Sequence, residues 1–258
     1  MSKVIVITGA SAGIGKELAI KLAARGDYLM LAARNHQALH QVSRACGRDT
    51  FAYTTDVTRR QDINRLKDEA IRTFDHVDVW INNAGRGISR PVMELTDQDV
   101  DEMFAVNFKS ALYGMQAILP HFLERGAGQV INVSSGLGRL PFSTNRSAYS
   151  AAKSALNNIT TNTRLEVRRQ CPAIQVSLVI PGPVETEFAQ NSLHSEGVGM
   201  TGMQNVQTAE QVADAIIGCI DEPVAECYTN PSVQEPTLMR YLSGIDAFEA
   251  KILGIENK

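Results

Sequence analysis

A chain of 258 residues, 44% hydrophobic and 21% charged, has room for one large α/β domain and the balance of an ordinary globular protein. Its formal net charge of -3 gives no electrostatic reason to expect nucleic acid or an anionic membrane as a partner. No stretch approaches the ~20 apolar residues of a membrane span. The N-terminal Met-Ser-Lys-Val-Ile-Val-Ile enters a strand pattern with no apolar leader, so a cytoplasmic protein is expected.

Short runs rich in Val and Ile alternate with segments of helical period. The strand pattern predicts strands over 3–8, 28–33, 50–55, 77–82, 128–134, 174–180 and 225–229. Helices are expected over 13–25, 35–46, 59–74, 97–125, 147–170 and 208–221, with a further helical segment over 235–254. The strands read as near-continuous apolar runs, the pattern of parallel strands buried on both faces. Alternation of this kind builds right-handed βαβ units. The expected fold is a Rossmann-type, doubly wound, mostly parallel seven-stranded sheet with helices on both faces. No repeat or low-complexity linker divides residues 1–258, so a single domain is expected.

The first strand runs into Thr8-Gly9-Ala10-Ser11-Ala12-Gly13-Ile14-Gly15, where a helical pattern begins. Glycine lets the backbone turn tightly and approach a pyrophosphate, and free N–H groups at the helix start face the anion. A strand before this turn and a helix after it point to a dinucleotide. The second strand ends Ala33-Arg34, with no acid to bond the ribose hydroxyls and repel a 2′-phosphate. Room and positive charge there suit NADP(H) better than NAD(H).

His36 and His40 have the i,i+4 spacing of helical metal ligands but lack a companion Glu, so a solvated helix face is expected and no metal. Cys46, Cys171, Cys219 and Cys227 are scattered and form no Cys-x-x-Cys, so reduced thiols are expected. Thr96 with Asp97 and Asp99 reads as a capped helix start. Tyr149 and Lys153 in Ser-Ala-Tyr-Ser-Ala-Ala-Lys share one helix face. An adjacent cation favours phenolate over a phenol of pKa near ~10, which suits a tyrosine to general acid or base work. Residues 185–207 lack periodicity and form a candidate substrate loop. Phe142, Phe188, Leu193, Met200 and Met203 suggest a partly apolar pocket for a medium-sized carbonyl or alcohol.

In order, Thr8-Gly9-x-x-x-Gly13-Ile14-Gly15, Asp56-Val57, Asn82-Asn83-Ala84-Gly85, Asn107, Ser134-Ser135, Tyr149-x-x-x-Lys153 and Pro181-Gly182-Pro183-Val184-x-Thr186 make the chain resemble the short-chain dehydrogenase/reductase family in its compact single-domain form. The resemblance runs from residue 3 to about 230. It implies that Asp56 accepts the adenine amino group, that Asn83, Ala84 and Gly85 pass close to the cofactor, and that Asn107 serves a proton relay through an ordered water. It further implies that Ser135 bonds the substrate carbonyl, that Tyr149 transfers the proton, and that Lys153 lowers the tyrosine pKa and holds the nicotinamide ribose. Pro181 and Gly182 would shape the pocket floor, and Thr186 would bond the nicotinamide carboxamide. The serine-to-tyrosine interval is fourteen here, one more than the family commonly has, which leaves Ser134 as an alternative to Ser135. Arg139 and Arg146 flank that loop and are candidates to touch an acidic substrate. The family also implies a homodimer or homotetramer packed through helices 97–125 and 147–170. Two rival functions are a non-catalytic NADP(H)-binding regulatory protein and an epimerase or lyase acting on nucleotide sugars.

Overall fold

In the computed structural model the described residues are 2–140, 142–195 and 205–253. The strands are β1 (Val4–Thr8), β2 (Tyr28–Ala33), β3 (Thr50–Thr54), β4 (Val79–Asn82), β5 (Gly128–Val133), β6 (Ile174–Ile180), β7 (Val184–Glu185), β8 (Gln207–Thr208) and β9 (Glu226–Tyr228). The helices are α1 (Gly13–Arg25), α2 (His36–Cys46), α3 (Arg60–Phe74), α4 (Asp97–Phe104), α5 (Ser110–Arg125), α6 (Ser147–Gln170), α7 (Ala209–Asp221), α8 (Pro231–Ser243) and α9 (Ile245–Leu253). Seven strands form one sheet in the order β3-β2-β1-β4-β5-β6-β9, while β7 and β8 make a separate short parallel pair that the sequence pattern does not announce.

Every pairing in the large sheet is parallel, with β1 central between β2 (Val4↔Tyr28) and β4 (Ile5↔Val79). Alternate residues of each strand face opposite layers. Val4, Val6, Met30, Trp80, Val130 and Val176 pack with Leu66 of α3, Phe122 of α5 and Val167 of α6. Ile5, Ile7, Leu29, Leu31, Val79 and Ile131 pack with Leu18 and Leu22 of α1, Leu39 of α2 and Ile216 of α7. Full burial of such side chains is worth about 1.5–3 kcal/mol each, which is why these strands are apolar on both faces. The doubly wound architecture expected from the sequence is therefore present, and strand order reverses between β1 and β4, where such sheets open a crevice at the carboxyl ends.

A thread of polar side chains crosses the sheet just below that crevice. Trp80 Nε1 donates to Asn82 Oδ1 (2.8 Å), Asn82 Nδ2 to Asn132 Oδ1 (2.8 Å) and Asn132 Nδ2 to Thr160 Oγ1 (2.8 Å). All four residues are buried, so these bonds answer amide and indole groups that would otherwise be orphaned.

Two expected helices differ in detail. The segment 97–125 is helical throughout, but Ala105–Lys109 adopts a π-turn between α4 and α5, with Asn107 inside it. The C-terminal segment begins earlier than 235, at Pro231 in the first turn of α8, and breaks at Gly244 before α9. Thr96 does start α4: its hydroxyl accepts from Asp99 N while Asp99 accepts from Thr96 N, a reciprocal capping box. Among the described residues no helix is long and apolar enough to cross a membrane.

Candidate active site

Thr8 ends β1 with its hydroxyl donating to Ile81 O (3.2 Å) and accepting from Asn83 N (3.0 Å) and Ala84 N (3.1 Å). Asn83 Nδ2 reaches back to Thr8 O (3.0 Å) and Gly9 O (3.2 Å), so the ends of β1 and β4 are laced together. Gly9 has φ +68°, and a Cβ there would lie 2.8 Å from Ala84 Cα, a backbone atom that cannot step aside. A Cβ on Gly15 would meet Gly9 O at 2.3 Å, so the first turn of α1 can press against the loop only as glycine.

That turn leaves an electropositive helix end. Ala12 occupies the N-cap position in extended conformation without a side-chain cap, and the first turn of α1 carries no acid. Its N–H groups and the positive end of the dipole therefore face the crevice. Ser11 lies in this loop and Ile14 in the first turn of α1, and Thr186 stands beside them, its Cγ2 3.3 Å from where a Cβ on Gly13 would sit. Thr186 Oγ1 accepts from Phe188 N (3.3 Å), and Val184 sits in the short pair with Gln207. Pro181, after β6, accepts from Gly136 N (2.7 Å), with Gly182 following it. At the end of β2, Asn35 is engaged in capping α2, whereas Arg34 is exposed and in no ion pair among the described residues. Asp56 Oδ1 accepts from Thr58 N (3.0 Å) and Thr58 Oγ1 (2.7 Å), which orients the carboxylate at the end of β3, and Val57 is buried beside it.

The same crevice receives the start of α6. Tyr149 and Lys153 are both buried, with Lys153 Nζ 5.8 Å from the phenol ring centroid and donating to Val133 O at the end of β5 (2.9 Å). A Cβ on Gly85 would lie 3.7 Å from Lys153 Nζ and 3.0 Å from Asn107 Oδ1, so Gly85 is where β4, α6 and the π-turn converge. Asn107 engages backbone at both ends of its amide: Oδ1 accepts from Arg86 N (3.1 Å), and Nδ2 donates to Arg86 O (2.9 Å) and Met103 O (3.1 Å). The side chain thus clamps the strand end, and a π-turn at this point has the irregularity often found at functional sites. Ser134 is committed elsewhere, to Asn157 Oδ1 (2.5 Å), while the Ser135 hydroxyl accepts from Leu137 N (3.2 Å) and meets the Tyr149 phenol. Of the two serines, Ser135 is the one placed at the tyrosine.

The electrostatics depart from the sequence expectation. Burial raises the Tyr149 pKa above its usual value, and the pull toward phenolate comes from the Ser135 hydroxyl and the Arg146 cation. Lys153 gives its hydrogen bond to Val133 O rather than to the phenol. Burial instead brings Lys153 down to about 8.

The segment 186–195 closes one side of the crevice. Phe188 meets the Tyr149 ring edge-on at 5.7 Å, and Leu193 pairs with Ile88 through Leu193 N to Gly87 O (2.9 Å) and Ser89 N to Leu193 O (2.8 Å). A polar latch holds it down: buried Asp99 takes Arg90 Nη1 on Oδ2 (2.8 Å) and His194 Nε2 on Oδ1 (2.8 Å), while Arg86 donates to Asn191 O (3.1 Å). These hydrogen bonds lower the Asp99 pKa far below the carboxylate range, led by the Thr96 backbone and the His194 side chain. Sequence reasoning missed this latch, since nothing local relates His194 to Asp99 across 95 positions. Of the apolar pocket residues, Phe188 and Leu193 line the crevice, whereas Phe142 stacks on Phe248 of α9 at 6.4 Å. Met200 and Met203 lie outside the described residues. Arg139 is paired with Glu226, while the Arg146 guanidinium stays near Tyr149. His36 and His40 stack on each other at 4.2 Å on α2, and among the described residues no three metal-ligating side chains converge.

A helix end shaped for an anion, joined through Ala84 and Gly85 to a buried phenol, a hydroxyl and an ammonium, can hold a dinucleotide and move a proton beside it. Residues 3–197 match the family model described as short chain dehydrogenase. The uncharacterized oxidoreductase YxnA of Bacillus subtilis is 34% identical over 88% of this chain, and the match spans 65% of that protein's length. A short chain dehydrogenase/reductase from Burkholderia phymatum, solved in complex with NAD, shares 25% identity and a TM-score of 0.84 over 95% of each chain. An alcohol dehydrogenase from Thermococcus sibiricus, complexed with 5-hydroxy-NADP, shares 25% identity and a TM-score of 0.75 over 88% of this chain and 96% of that one.

Proposed function

The chain belongs to the short-chain dehydrogenase family, and from that premise we propose that it is an NADP(H)-dependent oxidoreductase interconverting a carbonyl and a secondary alcohol, with Tyr149 as general acid and base. The observation that carries this reading is the continuity of the glycine turn with the phenol: Gly9 lies against Ala84, and Gly85 against Lys153 and Asn107. Solved relatives bound to NAD and to 5-hydroxy-NADP support a nicotinamide cofactor. The uncapped start of α1 fits a pyrophosphate, and exposed Arg34 fits a 2′-phosphate.

In this reading Gly13, Ile14 and Gly15 present N–H groups to the pyrophosphate, Asp56 faces the adenine, Lys153 holds the ribose and Thr186 the carboxamide. The bound nicotinamide supplies or accepts the hydride. In the reducing direction Tyr149 gives its proton to the developing alkoxide while Ser135 donates a hydrogen bond to the same oxygen. The positive charge of Arg146 favours the phenolate that remains, and Asn107 keeps Arg86 and Gly85 in place through its backbone bonds. The reading includes a homodimer or homotetramer packed through α5 and α6; Leu165 on α6, 54% exposed, is an apolar residue such packing would cover.

The test is NADPH consumption with a panel of ketones and aldehydes. Tyr149→Phe is expected to lower kcat by about 10²–10⁴-fold with NADPH binding retained by fluorescence titration. Near-normal turnover in that variant, or a higher kcat/KM with NADH than with NADPH, would overturn the corresponding half of the proposal. A protein that binds NADPH and reduces nothing in the panel would be the non-catalytic binder.

A further inference from the structure

Arg146 stands three residues before Tyr149, at the entry to α6. Its position is fixed by what crowds Gly87: a Cβ there would meet Ser192 Oγ at 2.3 Å, Arg146 Nη1 at 2.9 Å and Phe188 Cε1 at 2.9 Å. Phe188 in turn touches the Tyr149 ring. Guanidinium, aromatic ring and phenol therefore share one wall of the crevice, and the positive charge is felt at the phenol.

The other arginines around this mouth are answered by carboxylates: Arg86 by Glu102, Arg90 by Asp99 and Arg139 by Glu226. Arg146 is half-buried, yet its side chain has no carboxylate or carbonyl partner among the described residues, while its backbone N–H donates to Ser143 O (3.0 Å). A guanidinium partly withdrawn from water without a partner is unfavourable, and its planar fork matches a carboxylate in two parallel bonds.

We infer that Arg146 selects the substrate: the carbonyl compound presented to Tyr149 carries a carboxylate, which Arg146 binds while its apolar stem lies against Phe188. This deepens the oxidoreductase reading and rests on it. The assay is NADPH oxidation by wild type with aliphatic and aryl keto acids, each paired with its methyl ester. Wild type is expected to favour acid over ester by about 10²-fold in kcat/KM, the worth of a charge-assisted bond. Arg146→Gln should bring that ratio close to unity, through KM more than kcat, and Arg146→Lys should restore part of it. Thermal melts and NADPH titration establish that each variant is folded, and the wild-type ratio needs no variant at all. A wild-type ratio near unity, or one that Arg146→Gln leaves unchanged, overturns the assignment while ester reduction keeps the oxidoreductase reading standing. Failure to consume NADPH with either series overturns both.

Discussion

Removing the Asp99 carboxylate tests whether the latch over the crevice is an electrostatic hub. Four groups converge on it: Thr96 N (3.0 Å), Thr96 Oγ1 (2.8 Å), Arg90 Nη1 (2.8 Å) and His194 Nε2 (2.8 Å). Its side chain is only 7% exposed, whereas Arg90 and His194 are 29% and 43% exposed. Loss of the capping half costs about 1 kcal/mol. The two charge-assisted bonds, discounted for their exposed partners, add about 2 kcal/mol. Asp99→Ala is therefore expected to cost about 3 kcal/mol at pH 7, a fall of roughly 6–12 °C in Tm for a chain of this size. The carboxylate is held ionised below its unfolded range, so its contribution is complete above about pH 4 and drains away as pH falls further. The gap between wild type and variant should consequently narrow below pH 4, by up to about 1.4 kcal/mol per pH unit. Thermal melts at pH 7 and denaturant melts from pH 7 to pH 3, run on both proteins, measure this. A Tm loss under about 2 °C at pH 7, or a gap that does not narrow in acid, would refute the reasoning.

Two other substitutions have definite expected outcomes. Gly9→Ala forces a side chain into φ +68° and onto Ala84 Cα, so Tm should fall by several degrees, and NADPH affinity should weaken at least tenfold by titration; unchanged affinity would count against the glycine turn as the pyrophosphate site. Lys153 has its folded pKa drawn down to about 8 from 10.5, so its buried charge penalises the fold below pH 8, and the penalty fades as pH rises toward 10.5. Lys153→Met, with no cofactor added, should then be more stable than wild type by about 1–2 kcal/mol at pH 7, the advantage shrinking by pH 10 and activity lost throughout. A variant less stable than wild type at pH 7 would contradict this.

The strands were legible because burial on both faces demands unbroken apolar runs such as Val4–Thr8 and Ile174–Ile180, and no surface element reads that way. Glycine spacing and the Tyr149–Lys153 interval were legible because each reports a local backbone geometry. The break at Gly244 carried a readable signal, a glycine inside a helical pattern, that the expected span 235–254 ran through. Other features arise only from contacts between distant segments. Asn107 could be recognised as a poor helix former, but the π-turn follows from its amide clamping Arg86. The source of the electric pull on Tyr149 depends on where Lys153 Nζ points, and spacing alone suggests the phenol rather than the Val133 carbonyl. Phe142 belongs with Phe248 and Tyr241 at the C-terminal helices, a grouping for which sequence holds no local cue.

The thread from Trp80 through Asn82 and Asn132 to Thr160 has a wider consequence. A one-residue slip of β4 against β5 would sever it and strand buried amides, so alignment between these neighbours is locked. Gly85 follows β4 by three residues and Ser135 follows β5 by two, which makes them parts of one rigid plate. Among the described residues, the segment bearing Phe188 and Leu193 is fastened at the rim of that plate. Its side chains could be exchanged for others without disturbing the alignment of hydroxyl, phenol and ammonium, and that separation lets one chemical engine be fitted to different molecules.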